Sequence, residues 1–378
     1  MINFKPKKKS TVQVWKLGDN LYIGGSGTAS EVADQTGCIE HLFQLMDGER
    51  TVPELYAALH RVHPVITQDD VLDALAQFDG AGFLENGAFT PEGLLDEYEL
   101  ARWERNIDFL GAFTSSAINK YALQHRLKTA RVAILGLGGL GTHLLYDVAA
   151  VGVQDIRAVE FDRLELSNFN RQILYSEADV GRPKAELSLE RIRAFSPRLK
   201  IEVVPMRLSS MADVLGVIHD REYVLCVADR PEMEIIHWVN EACVRTGAVL
   251  ISGGLDTPRG MYWSMIPGTT GCAECWQRQV QERDPLAAAL LDERRRPDRP
   301  QYGGDNTSFV PLVGLLAAYM LSDLVRMVTG IAPPVSPGRL FEVNFGSMET
   351  RVAERWDKVA DCATCGTTAA RPAELARI

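Results

Sequence analysis

The chain has 378 residues, a net charge of −10, 46% hydrophobic residues and 24% charged residues. The acidic balance excludes general nucleic-acid binding, which needs a basic footprint, and no uninterrupted apolar run reaches the roughly 18 residues of a membrane span. Seven cysteines include two CxxC pairs, a usage that points to metal rather than disulfides and so to a reducing, cytoplasmic setting.

Residues 1–10 carry Lys5, Lys7, Lys8 and Lys9 and read as a solvated tail. No apolar stretch follows directly, so the segment does not read as a signal peptide. Residues 11–85 read as a small module. Val12, Val14, Leu17, Leu21 and Ile23 suggest two strands joined at Gly18-Asp19-Asn20, and three helical patterns follow at about 29–46, 51–62 and 67–81. Thr51 with Glu54, and Thr67 with Asp70, have the spacing of capping boxes. A hairpin followed by three helices is a winged-helix plan. These helices lack the clustered basic face that DNA binding would require; a purely structural cap on the next domain is the other reading. Residues 86–99, with Gly87, Pro91 and Gly93, read as a linker, and a helix holding Arg102-Trp103-Glu104-Arg105-Asn106 follows. The expected division is 1–86 for the small α+β module, 87–130 for the linker and helical lead-in, and 131–378 for the main domain.

The main domain opens with an apolar β-rich run, Arg131 to Leu135, that stops at Gly136-Leu137-Gly138-Gly139-Leu140-Gly141 and continues as a helical pattern from Thr142 to Val151. Glycines at a strand-to-helix turn allow the backbone to approach a phosphate, and the helix start favours its charge. A second strand, Ile156 to Phe161, carries Glu160 and is followed by Asp162, about 20 positions on, where a carboxylate suits a ribose hydroxyl. Asn168, Arg171 and Gln172 follow, then Lys184 at the start of a helix. The two cations suit a triphosphate better than a dinucleotide. The strand Tyr223 to Val227 presents Asp229 at its C-terminal end, where ligands sit in an open parallel sheet and where a carboxylate meets Mg²⁺ and phosphate oxygens. Helix capping is the compatible structural role for the same residue.

Strands are expected at 201–204 and 249–252, with an antiparallel extension from Met261 and a final pair at 340–345 and 350–353. Cys272-Ala-Glu-Cys275 and Cys362-Ala-Thr-Cys365 supply four thiolates, the closed tetrahedral set of a structural zinc site. Cys38, Cys226 and Cys243 lie in apolar surroundings and read as buried and inert. The charged, proline-rich stretch 281–308 reads as mobile, and the apolar stretch 308–327 as a core or interface helix.

The order GLGGLG, ExD, SNxNRQ, GxPK and an Asp after a hydrophobic strand is similar to the ThiF/MoeB/E1-like adenylating enzymes, over about residues 100–366. That resemblance implies a Rossmann-like α/β domain with a mostly parallel sheet. It implies ATP on Gly136, Gly138, Gly139 and Gly141, with Glu160 on the ribose where the family usually has Asp. Arg171 and Lys184 would gather the triphosphate, Asp229 would hold Mg²⁺, and Arg105 would reach a partner's ATP in a homodimer. The charged crossover stretch would order over the acyl-adenylate when substrate binds. Residues 45–84 resemble PqqD-type domains, which take the leader of a ribosomally made precursor peptide as an added β-strand. Together the two resemblances imply a peptide-modifying adenylating enzyme similar to the microcin C and pantocin maturation enzymes, with activation of glutamate for ring closure as the favoured subtype. A sulfur-carrier activator of the ThiF or MoeB sort and a non-catalytic leader-delivery partner are the alternatives.

Overall fold

The computed structural model describes residues 4–24, 29–295 and 307–367. The chain divides into two compact units, residues 1–126 and 127–378.

The first unit contains β1 (Pro6–Lys8), β2 (Gln13–Leu17), β3 (Asn20–Gly24), β4 (Ser30–Ala33), α1 (Cys38–Leu45), α2 (Val52–Val62), α3 (Gln68–Gly80), β5 (Leu84–Asn86), α4 (Glu97–Ala112) and α5 (Lys120–Thr129), the last crossing the boundary. Strands β2, β3 and β4 form an antiparallel sheet, and β1 pairs antiparallel with β5. Leu21, Ile23, Leu55, Leu59, Val71 and Leu75 fill the core between the sheet and α1–α3. Both expected capping boxes are present: the Thr51 and Thr67 N–H groups donate to Glu54 (2.8 Å) and Asp70 (2.9 Å).

Three expectations are corrected in detail. The lysine-rich start is not a solvated tail. Its backbone is recruited by β5 across 80 residues, Lys9 N–H donates to Phe83 O (3.0 Å), and Lys7 pairs with Glu85 (2.9 Å). Lys9 itself is buried, and its ammonium donates to Thr114 O. The helix expected over 29–46 is strand β4 followed by the shorter α1, because Asp34 accepts from the Ile39 and Glu40 N–H groups and starts the helix there. The stretch after 281 remains helical to 295, since Asp284 accepts from the Leu286 and Ala287 N–H groups and a leucine–alanine run follows. Residues 296–306, the rest of the expected crossover stretch, and the tail from 368 lie outside the described residues.

The second unit contains β6 (Arg131–Leu135), α6 (Gly139–Ala150), β7 (Asp155–Val159), α7 (Lys184–Phe195), β8 (Lys200–Val204), α8 (Met211–Ile218), β9 (Tyr223–Cys226), α9 (Glu234–Thr246), β10 (Val249–Asp256), β11 (Arg259–Met265), α10 (Ala273–Arg283), α11 (Pro285–Arg295), α12 (Val310–Thr329), β12 (Arg339–Asn344) and β13 (Thr350–Arg355). Its sheet runs β13-β12-β11-β10-β9-β6-β7-β8. The five strands from β10 to β8 are parallel to one another, and β11, β12 and β13 extend the sheet antiparallel. Sequence order reverses between β6 and β9, which is where an open α/β sheet opens a crevice beyond its strand ends.

One apolar cluster joins α6, α7 and α12 to one sheet face, and another joins α8 and α9 to the other. Among the described residues, α12 is the one helix long and apolar enough to cross a membrane. It packs on α6, β10 and β11, with Val313, Leu316, Ala317, Met320 and Leu324 fully buried. Its buried Asp323 accepts from the Val335 and Ser336 N–H groups (3.0 and 2.9 Å), which anchors the loop that feeds β12.

Candidate active site

The crevice sits at the C-terminal ends of the parallel strands and encloses about 660 Å³. Its geometry starts at the glycine turn. Gly136 has φ +95°, a conformation side chains rarely adopt, and a Cβ on Gly141 would lie 1.9 Å from Gly136 O. The turn therefore closes only with hydrogen at both positions, and it delivers the N-terminus of α6 to the crevice. Gly138 and Gly139 line the cavity there. A Cβ on Gly139 would meet the Arg171 side-chain stem at 3.1 Å, so Arg171 lies directly across the helix start.

Arg171 donates to Asn170 Oδ1 (2.7 Å), at the end of a short helical turn, Leu166–Asn170, whose start is held by Asn168 accepting from Glu165 N–H (3.1 Å). Gln172 is buried and lines the crevice, and its Oε1 has no partner among the described residues. Lys184 opens α7. Its ammonium is buried, and the nearest carboxylate is Asp162 at 3.6 Å, beyond hydrogen-bond reach. A buried cation with so distant a counter-charge suits an incoming anion. Asp162 is also tied to Lys184 through the backbone, Lys184 N–H to Asp162 O at 2.9 Å.

Glu160, the carboxylate expected at the ribose, is held by the backbone. Its Oε2 accepts from Leu137 N–H (2.9 Å), and its Oε1 accepts from Phe161 N–H (2.7 Å) and Asp162 N–H (2.8 Å). The carboxylate thus latches the glycine loop to the end of β7, and the exposed carboxylate beside it is Asp162. Asp229 lines the crevice just past β9, exposed, across the switch point from the glycine loop. Glu232, three residues on, is a second exposed carboxylate on the crevice, and one or two carboxylates are the donor set magnesium takes when phosphates supply its other ligands. Arg105 belongs to the other unit, on α4, with its side chain 89% exposed and Glu104 at 3.9 Å.

Cys272, Cys275, Cys362 and Cys365 are all buried, with sulfurs within 4.8 Å of one another and pairs at 3.9, 3.8 and 3.4 Å. A tetrahedral shell at about 2.3 Å from zinc has sulfur–sulfur edges of about 3.8 Å, so the four residues fit that ion. Cys275 also accepts from Val359 N–H (3.3 Å), and Asn240 fixes Ala273 N–H (2.9 Å). Cys226 lines the crevice, but burial pushes its thiol up to about 11, which leaves little thiolate for attack at neutral pH.

A family model described as the ThiF family matches residues 110–364. The chain belongs to the ThiF family. Among curated relatives it is 39% identical over 251 residues to a sulfur carrier protein adenylyltransferase of Thermus thermophilus, covering 64% of this chain and 84% of that protein. It is 27% identical over 252 residues to the sulfur carrier protein ThiS adenylyltransferase of Escherichia coli, covering 66% and 91%. Adenylyl transfer is the activity both names share. Among solved structures, E. coli MccB with ATP matches at TM-score 0.73 and 22% identity, covering 96% of this chain and 99% of that one. The same fold recurs in the microcin C7 biosynthetic enzyme MccB in complex with N-formylated MccA, at TM-score 0.73 and 21% identity. The family model leaves residues 1–109 of this ThiF-family chain unmatched, whereas the MccB fold extends over nearly all of it.

The sequence missed the wall of the crevice beyond Asp229, formed by Met261 and Trp263 of β11 and Leu340 of β12. The alternation of Met261 and Trp263 with Tyr262 was the signal available for it.

Proposed function

We propose that this protein adenylates a carboxyl group of a ribosomally made precursor peptide at the expense of ATP. ThiF-family membership supports ATP-dependent adenylation. The observation that carries the reading is the order of chemistry along the sheet. Apolar Met206 and Leu208 follow β8, Asp162 follows β7, the glycine loop follows β6 and Asp229 follows β9, all on one crevice. That order suits base, ribose, phosphates and magnesium in turn. Lys184 and Arg171 neutralise the triphosphate, Gln172 offers its unpaired acceptor, and the ribose hydroxyls fall to Asp162, with Glu160 holding the loop that frames them. Magnesium on Asp229 screens phosphate charge when bound. A substrate carboxylate oxygen bonds to the α-phosphorus, the bond from that phosphorus to the bridging oxygen breaks, and pyrophosphate leaves. The protein's contribution is alignment and charge stabilisation. A nucleophile of the substrate itself then bonds to the acyl carbon and gives up its proton, the bond from that carbon to the phosphate oxygen breaks and AMP leaves, which for a glutamate side chain closes a ring. The raised Cys226 thiol argues against an enzyme thioester.

The peptide part rests on the first unit. Among the described residues β2 is an edge strand of the three-stranded sheet, and it exposes Trp15 (39%) and Leu17 (66%). An edge with exposed apolar side chains suits a leader added as a further strand, the PqqD-type mode of a winged-helix module. The extent of the match to MccB, a structure solved with N-formylated MccA, supports the same reading. A second copy of the chain would supply Arg105 to the triphosphate. The 39% identity to a sulfur carrier protein adenylyltransferase favours a second reading, in which the substrate is a carrier protein. ATP–pyrophosphate exchange with candidate precursor peptides and with a sulfur carrier protein decides between them. Exchange with a peptide, lost in Asp229→Ala while leader binding persists, is the expected result; exchange with the carrier alone would overturn the peptide reading.

A further inference from the structure

The crevice is chemically divided. Around the glycine loop it presents Glu160, Asp162, Arg171 and Lys184, whereas the wall contributed by β10, β11 and β12 is uncharged: Ser252, Gly254, Leu255, Met261, Trp263 and Leu340. Register puts several of these on one sheet face. Ser252 lies opposite Trp263, and Gly254 lies opposite Met261. Tyr262 pairs with Phe341, which places Leu340 beside Trp263 on the next strand. Trp263 is held edge-on to Trp356 (5.8 Å between centroids), and Trp356 Nε1 donates to Gly271 O (3.1 Å), so the indole is a fixed surface. Above Gly254 the space is open: a Cβ there meets nothing within 4 Å, and its φ lies outside the left-handed region.

We infer that this wall is the acyl subsite and that it selects a carboxyl flanked by aliphatic or aromatic surface over the bare backbone of a diglycine tail. The inference rests on the adenylating reading, because the sheet order then leaves the side beyond Asp229 for the acyl group. Glycine residues would bury nothing on Met261, Trp263 and Leu340. The methylenes of a glutamate side chain, or the side chain of leucine or phenylalanine, would remove apolar area from water on both partners. Trp263 is the specificity-determining side chain, and Gly254 leaves the room that the acyl flank occupies.

The test uses stable mimics of the acyl-adenylate on the full-length protein. Calorimetric affinities are compared for 5′-sulfamoyladenosine and for its N-acetylglycyl and N-acetylleucyl sulfamates. The leucyl mimic is expected to bind about tenfold or more tightly than the glycyl mimic. In Trp263→Ala the preference should shrink to within about threefold, and Gly254→Val, which narrows the subsite from the other side, should weaken the leucyl mimic while sparing the glycyl one. If Trp263→Ala fails to fold, Gly254→Val decides. Equal affinities for the two mimics, with 5′-sulfamoyladenosine bound, would overturn the inference and leave the adenylating reading standing. No binding of 5′-sulfamoyladenosine would overturn that reading, and the inference with it.

Discussion

Glu160 Oε2 accepts a hydrogen bond from the Leu137 backbone N–H at 2.9 Å, tying the end of β7 to the glycine loop after β6. With its other oxygen accepting from Phe161 and Asp162, the carboxylate faces three donors and no acceptor. Glu160→Gln keeps the shape but turns an NH₂ group toward those donors. It should destabilise the protein by about 1–3 kcal/mol, the cost of leaving a buried donor unpaired, and weaken ATP binding as the loop loosens. Thermal denaturation and nucleotide titration measure both. An unchanged melting temperature would show that the latch carries no stability.

The four-cysteine cluster joins α10 to the segment after β13, so the metal should hold the C-terminal part of the domain in place. Elemental analysis should find one zinc per chain. Removal by a strong chelator, or Cys365→Ser, should lower the melting temperature and open residues 356–366 to proteolysis. Metal-free protein with unchanged protease resistance would refute a structural role.

Arg105 offers a test of assembly, since its side chain is 89% exposed and is proposed to act on a second copy. Arg105→Ala and Lys184→Ala should each lose most exchange activity, about a hundredfold for groups that stabilise a transferring phosphoryl centre. A mixture allowed to exchange subunits should recover activity, because mixed dimers contain one site with both cations. Additive residual activities would argue that Arg105 works within its own chain or not at all.

Acid stability follows from Asp220. The Arg221 guanidinium, with Nη2 at 2.6 Å, holds its carboxyl well below the ordinary range, and Arg157 adds to the effect after a partial offset from burial. A folded-state value below the unfolded one means that the contribution is complete above the unfolded carboxylate range and is lost progressively as pH falls from that range through the lower folded value. Melting temperature should therefore drop between about pH 4 and lower values, with a shallower drop in Asp220→Asn. Equal acid slopes in the two proteins would remove Asp220 from the account.

The parts legible in the sequence were those whose chemistry is local. The glycine turn, the cation opening α7 and the carboxylate after β9 each follow from a strand end and the few residues beyond it, and the structure gathers Gly139, Arg171, Lys184 and Asp229 on one crevice. Both threonine-led capping boxes were legible for the same reason. What sequence could not convey was pairing at a distance. Strand β1 is Pro-Lys-Lys and exists because β5 lies beside it, and β4 has only the partly buried Val32 to mark it as a strand. Glu160 was legible as a carboxylate at a strand end, but its three backbone partners depend on how the neighbouring loop folds back. The acyl wall depends on cross-strand register between β10, β11 and β12, which no single segment encodes.

The most direct measurement of the central claim is a crystal structure of the protein with a non-hydrolysable ATP analogue and magnesium. The account predicts the triphosphate against Gly138 and Gly139, within reach of Arg171 and Lys184, with the metal on Asp229 and the adenine toward Met206 and Leu208. A nucleotide bound elsewhere, or a crevice that takes it with the phosphates turned toward Met261 and Trp263, would contradict it.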